Sequence, residues 1–179
     1  NESDYCFISP SAFQGLELGT LVKTLDNTLT ASGKRLFAFW FTHPLKQTGA
    51  IVHRQDAVKL LIENPAVAGD LKTLLNRVPD LEKNITRISC GYTHAKDLLG
   101  IRNTLALIPA IQKALAPLAR QNPLFDVEDI PQLRGHLQAT VNEDIPLSHP
   151  DGKIIQNGVH AELDSLRDLQ ENGRQWLKK

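Results

Sequence analysis

Residues Thr24–Leu45 read TLDNTLTASGKRLFAFWFTHPL, and the fold turns on how this stretch is interpreted. Its first part is a polar turn carrying four residues able to cap a helix, Asp26, Asn27, Thr28 and Thr30. A hydroxyl or carboxylate just ahead of a helix accepts from amides that have no intrahelical partner. Thr30 is the best placed of the four. Leu36, Phe37, Trp40 and Phe41 then recur at roughly helical spacing, and His43 and Pro44 end the run. The stretch therefore predicts a central helix whose aromatic face is core, with Trp40 and Phe37 largely buried. Asp26, Thr28 and Thr30 are expected to bond backbone amides at its start.

Outward from this helix the pattern stays helical. Asn1–Thr20 holds a polar lead, an apolar patch (Tyr5 to Ile8) and a short helix entered at Ser9 and Pro10. After a turn at Lys46–Gly49, the residues Ile51, Val58, Leu61 and Ile62 predict one apolar face, and Pro65 ends that helix. Arg54, within it, is expected to bury its stem and reach carbonyls or a carboxylate, a structural tether in preference to a phosphate contact. Ala66–Val78 predicts a further helix, broken by Pro79. Asp80 is placed to cap the next, in which Leu81, Ile85 and Ile88 share a face that ends near Gly91. Thr93–Arg120 holds the longest periodic run, with Pro109 expected to kink or split it. Gln121–Asp129 reads as a surface loop, and Ile130–Asn142 as a short helix. The turn-rich stretch after Val141 has room for one small β hairpin near 153–157. From Ala161 onward Leu163, Leu166, Leu169 and Trp176 predict a last helix. The fold class is all-α, an irregular helical bundle.

The 179 residues carry 20 basic and 20 acidic side chains, so the formal charge is zero and no nucleic-acid footprint is evident in composition. Two cysteines, Cys6 and Cys90, lack any metal-ligand or redox spacing and are expected to be free buried thiols in a reducing compartment. No signal peptide or membrane-length apolar run is present, so a soluble intracellular protein is expected. Gly33-Lys34 lacks the upstream glycine of a phosphate loop, and no GxGxxG, GxSxG or HExxH pattern occurs. The six histidines show no paired ligand spacing. Catalytic, cofactor-binding and metal residues are accordingly expected to be none.

The wording of the central stretch nevertheless resembles the core, or lever, region of the MutS family of DNA mismatch-recognition ATPases. Leu25, Asp26, Thr28, Thr30, Gly33, Arg35, Leu36, Trp40, Pro44 and Leu45 carry that family's pattern. Collinear matches follow in HRQDAVKLL (His53 to Leu61), PDLEKNITRISCG (Pro79 to Gly91), AKDL (Ala95 to Leu98), VNEDIPL (Val141 to Leu147) and DGKIIQNGVHAELDSLRDL (Asp151 to Leu169). The chain departs from the family at Ala95, where proline is usual.

The resemblance implies a single core or lever domain over 1–179, excised from a longer chain, as the absence of methionine also suggests. Residues 1–20 would be a remnant of the linker from a preceding connector domain, and 161–179 the start of a lever helix leading to a clamp. The implied role is non-catalytic: coupling the ATPase of the parent protein to its DNA clamp in mismatch repair. ATP and Mg would belong to the parent alone. Its partners would be duplex DNA, a second MutS subunit and MutL, with no membrane, in the bacterial cytoplasm and on the nucleoid when bound to DNA. Asp26, Thr28, Thr30, Gly33, Arg35, Trp40, Arg54 and Asp56 are the structural or interdomain candidates. A MutS-like relative acting in recombination and a stand-alone helical interaction module are the alternatives.

Overall fold

The computed structural model describes residues 4–145 and 154–177. In chain order the helices are α1 (Pro10–Gly15), α2 (Leu18–Leu25), α3 (Ala31–Thr42), α4 (Thr48–Glu63), α5 (Pro65–Leu75), α6 (Leu81–Ser89), α7 (Ala95–Ala119), α8 (Pro131–Thr140) and α9 (Ala161–Leu177). A 3-10 turn at Pro123–Phe125 lies between α7 and α8. Among the described residues there is no strand, only two isolated antiparallel bridges, Tyr5 with Leu45 and Val141 with Ile155. The chain is all-α. It divides into two compact units, one of Asn1–Glu82 and Leu107–Asp129, the other of Lys83–Ala106 and Ile130–Lys179.

In the first unit, Ser9 caps α1 by accepting from the Ala12 amide at 3.2 Å, and Pro10 supplies the preset backbone of the first turn. A second helix, α2, follows at once, set off by Glu17 in the left-handed region at φ 50°. The sequence suggested one helix here and read Thr24 as turn. Before α1 the chain runs antiparallel to the end of α3: Cys6 N–H donates to Pro44 O at 2.7 Å, and Lys46 N–H to Asp4 O at 3.1 Å. The core of this unit is Ala57, Leu115, Leu118 and Phe125, flanked by Leu60, Leu61, Val67, Leu71 and Ile111.

This core corrects three expectations. The inward face of α4 is Ala57, Leu60 and Leu61; Ile51 and Val58 are exposed and Ile62 is 74% exposed. Apolar residues flank both sides of α4, so periodicity did not fix its phase, and the small side chain of Ala57 is what meets the leucines of α7. Gln121–Asp129 is not a surface loop throughout. Asn122 is almost fully buried, donating from Nδ2 to His53 O at 3.0 Å and accepting at Oδ1 from the Leu124 amide at 3.0 Å, while Phe125 enters the core. The third correction concerns α3, none of whose residues is buried. Trp40 is 39% exposed, Leu36 and Phe39 are exposed, and Phe37 is only half-buried. No residue of α3 enters the cluster formed by the α7 leucines with Ala57 and Phe125, and α3 packs against the short α2 and pairs with the extended N-terminal segment.

In the second unit, Leu105, Val141 and Ile145 are buried together with polar Asn84, Asp97, Arg102 and Thr104. Polar side chains in such positions must find partners. Asp97 does: its Oδ2 accepts the His94 amide at 2.9 Å and its Oδ1 accepts Arg87 Nη1 at 3.2 Å. The expected hairpin near 153–157 gives way to a longer-range pairing. Ile155 pairs with Val141, Asn142 N–H donates to Ile154 O and Gln156 N–H to Thr140 O, each at 2.8 Å; Lys153 lies outside the described residues. Gln156 Nε2 adds a bond to Gln138 O at 2.8 Å, so its amide is anchored on α8.

Helix phase needs correction here too. On α6 the inward position is Asn84, with Ile85 and Ile88 exposed; on α9 Leu166 and Leu169 are exposed and the Trp176 side chain lies outside the described part. Asn84, a polar residue, takes the inner position of α6 ahead of both isoleucines, and hydropathy counts do not register this. Pro109 does not split α7, which runs unbroken from Ala95 to Ala119 and contains Pro117 as well. Both cysteines, Cys6 and Cys90, are exposed free thiols, not buried ones. Among the described residues no helix is long and apolar enough to cross a membrane.

Candidate functional site

The candidate residues gather on α3 and its approach. Asp26 follows α2 and folds the connection by an Asx-type turn: its Oδ1 accepts the Thr28 amide at 3.0 Å and the Thr28 hydroxyl at 2.6 Å. The Thr28 hydroxyl thus serves Asp26 instead of a helix amide. These two bonds from Thr28, with Lys34 Nζ at 3.2 Å, hold the Asp26 carboxyl below its ordinary pKa. Thr30 is the N-cap of α3, with extended backbone and its hydroxyl accepting the Gly33 amide at 3.0 Å. Gly33 has to be small at this point. A Cβ there would stand 2.9 Å from the same hydroxyl oxygen.

One turn on, Arg35 spreads its guanidinium over two carboxylates. Nη1 donates to Asp80 Oδ2 at 3.0 Å, Nη2 to Asp80 Oδ1 at 2.7 Å, and Nε lies 2.7 Å from Glu82 Oε2. The fork-to-fork pairing with Asp80 suits the planar guanidinium, and together with Glu82 it raises the Arg35 pKa further. Periodicity does not single out Asp80 as this partner, because the two residues lie 45 apart and Asp80 also stands where a helix cap belongs. Two acidic residues at the start of α6 were the available signal.

The other face of α3 is aromatic. Phe39 stacks on His43 with ring centroids 4.1 Å apart, Tyr5 meets Phe39 edge-on at 5.6 Å, and Phe37 meets Phe41 edge-on at 5.1 Å. Arg54 of α4 places its guanidinium carbon 4.0 Å from the centroid of the Trp40 ring. The head of Arg54 therefore reaches a π face and not the expected carbonyl or carboxylate. Asp56 is exposed on α4 and takes no part in these contacts. Beside Trp40 opens an apolar hollow of ≈ 320 Å³ lined by Ile8, Leu16, Leu18, Phe37, Phe41 and Pro44.

In chemical terms the charged groups around α3 engage one another. The Gly33 amide is taken by Thr30 and the Lys34 ammonium by Asp26, so the pair is not laid out as a phosphate cradle. In the second unit burial opposes ionisation of Asp97, but the His94 amide and the Arg87 guanidinium outweigh it and hold the carboxyl below its ordinary value. Among the described residues no group of three or more His, Cys, Asp or Glu side chains could hold a metal ion.

The family model described as MutS domain III matches residues 9–178. A protein named DNA mismatch repair protein MutS from Syntrophomonas wolfei is 34% identical over 166 residues, covering 92% of this chain and 19% of that protein. Its namesake from Desulfitobacterium hafniense is 36% identical over 165 residues (90% and 19%), and that from Symbiobacterium thermophilum 31% over 188 residues (97% and 21%). The chain belongs to the MutS family, where it corresponds to domain III. It spans about a fifth of the length of these relatives.

Proposed function

We propose that this chain is the non-catalytic lever segment of a DNA mismatch repair ATPase, linking the nucleotide site of the longer protein to its hold on DNA. The observation that carries the reading is the match to MutS domain III over residues 9–178, joined to relatives named for mismatch repair. The geometry of α3 supports it: the charged groups there engage one another, Arg35 with Asp80 and Glu82, Lys34 with Asp26. Such contacts hold helices in place, and close-packed helices pass on displacement in preference to absorbing it. ATP and Mg belong, on this reading, to another part of the longer protein. Duplex DNA, a second MutS subunit and MutL are its partners, and the bacterial cytoplasm its place.

The chain alone should release no phosphate from ATP above background. It should also show no preference between mismatched and matched duplexes at about 0.15 M salt, where exposed charges are screened beyond roughly 8 Å. Turnover, or a mismatch preference beyond about tenfold, roughly 1.4 kcal/mol, would overturn the assignment. In the longer protein Arg35→Ala should leave ATP hydrolysis without DNA unchanged and weaken the effect of ATP on release from mismatched duplex.

A further inference from the structure

The turn that enters α9 is made by an Asn-Gly pair, Asn157–Gly158, with Gly158 in the left-handed region at φ 86°. In such a pair the backbone nitrogen of the glycine can attack the side-chain amide carbon of the asparagine, because a glycine carries no side chain to crowd the approach. Asn157 and Gly158 are both exposed, so water reaches them. The sequence holds one other pair of this kind, Asn172–Gly173.

Side chains from the start of α9 hold both reacting groups. Gly158 N–H donates to Asp164 Oδ2 at 2.8 Å, and Arg167 Nη1 donates to Asn157 Oδ1 at 2.7 Å. A guanidinium only donates, so the Asn157 atom facing it is the carbonyl oxygen. Arg167 is itself fixed, with Nη2 donating to Ile155 O at 2.8 Å and Nη1 lying 3.4 Å from Asp164 Oδ1. A carboxylate on the amide proton serves the nucleophile as a base, and a guanidinium on the carbonyl oxygen stabilises the negative charge that attack places there. Hydrogen bonds of this kind lie near the planes of their amides, whereas attack on a carbonyl carbon comes from above its plane, so neither bond blocks it.

We propose that Asn157–Gly158 is a self-modification site, at which Asp164 and Arg167 promote deamidation of Asn157. Gly158 N bonds to Asn157 Cγ as its proton passes to Asp164 Oδ2. Asp164 then returns that proton to Nδ2, the Cγ–Nδ2 bond breaks, and ammonia leaves a cyclic imide. Water opens the imide at one or the other carbonyl, giving aspartate or isoaspartate. Aspartate turns the bond from Arg167 into an ion pair, and isoaspartate adds a methylene to the backbone where it enters α9. The site is independent of what the longer protein does.

Asn172–Gly173 supplies the internal comparison, since it lies inside α9, where the regular backbone fixes the asparagine and the amide that follows it. The chain is incubated at neutral pH, folded and in guanidinium chloride, and each asparagine is followed by peptide mapping and isoaspartate-specific methylation. Asn157 should convert about tenfold faster in the folded chain than in the unfolded one, a fraction of what a positioned base contributes. Asn172 should convert more slowly folded than unfolded. Asp164→Asn keeps an oxygen to accept the Gly158 amide but removes the base, and should bring the folded rate at Asn157 down to the unfolded rate or below, with circular dichroism checking its helix content. The comparison of folded with unfolded chain needs no variant. Conversion of Asn157 that is no faster in the folded chain, or an unchanged rate in a helical Asp164→Asn, would overturn the proposal.

Discussion

At Gly33 two rules of thumb point in opposite directions. Replacing a glycine inside a helix by alanine normally stabilises by roughly 0.5–1 kcal/mol. Here the new methyl would sit 2.9 Å from the Thr30 hydroxyl that caps the helix, and the cap is worth about 1 kcal/mol. Gly33→Ala should therefore bring no gain in denaturation midpoint, whereas Thr30→Ala should lose about 1 kcal/mol; a Gly33→Ala gain near 1 kcal/mol would show that the cap yields without cost. Trp40 calls for a smaller figure than a core aromatic because it is 39% exposed. Its ring and the Arg54 guanidinium, 4.0 Å apart, should show a coupling of about 0.5–1 kcal/mol in a double-mutant cycle of Trp40→Leu and Arg54→Gln, the range for a cation over an exposed ring. A coupling of zero would reduce the contact to coincidence of packing.

Between α6 and α7 the decisive pair is Arg87 with Asp97, closed by the His94 amide. The folded-state pKa of Asp97 is lowered, so the unfolded chain takes up its proton first as pH falls. This contribution to stability is complete above the unfolded value, near 3.9, and is lost as pH drops from there through the folded value. Asp97→Asn should flatten the decline of thermal midpoint below about pH 4, and an unchanged slope would reject the linkage. Element boundaries such as the Thr30 cap, the Ser9 cap and the stop at Pro65 were legible because local chemistry sets them. Helix faces were less so. On α4, α6 and α9 apolar residues occupy more than one side, so periodicity leaves the inner side open: on α4 it goes to Ala57 against the α7 leucines, and on α6 to Asn84 in place of the neighbouring Ile85. The partners of Arg35 and Asn122 lie 45 and 69 residues away, and no periodicity carries that information. Ile155 found Val141 for the same reason, where a local hairpin had been the nearer choice.

Across the molecule, the even balance of 20 basic and 20 acidic residues fits the contacts seen, in which charges close on each other within each compact unit. Exposed pairs such as Arg35 with Asp80 contribute little to stability individually, so much of the burden falls on the buried residues of each unit, to which α7 contributes in both. Family membership was legible because the matching words are spread along nearly the whole chain, and residues 9–178 carry them. The half-open ring of Trp40 under Arg54 has one further use. Indole emission shifts in colour with the water around the ring, and Trp40 is one of two tryptophans in the chain, the other being Trp176. With Trp176→Phe in place, the light from Trp40 alone becomes an optical gauge of whether α3 and α4 stay in register, readable in real time and with no dye attached.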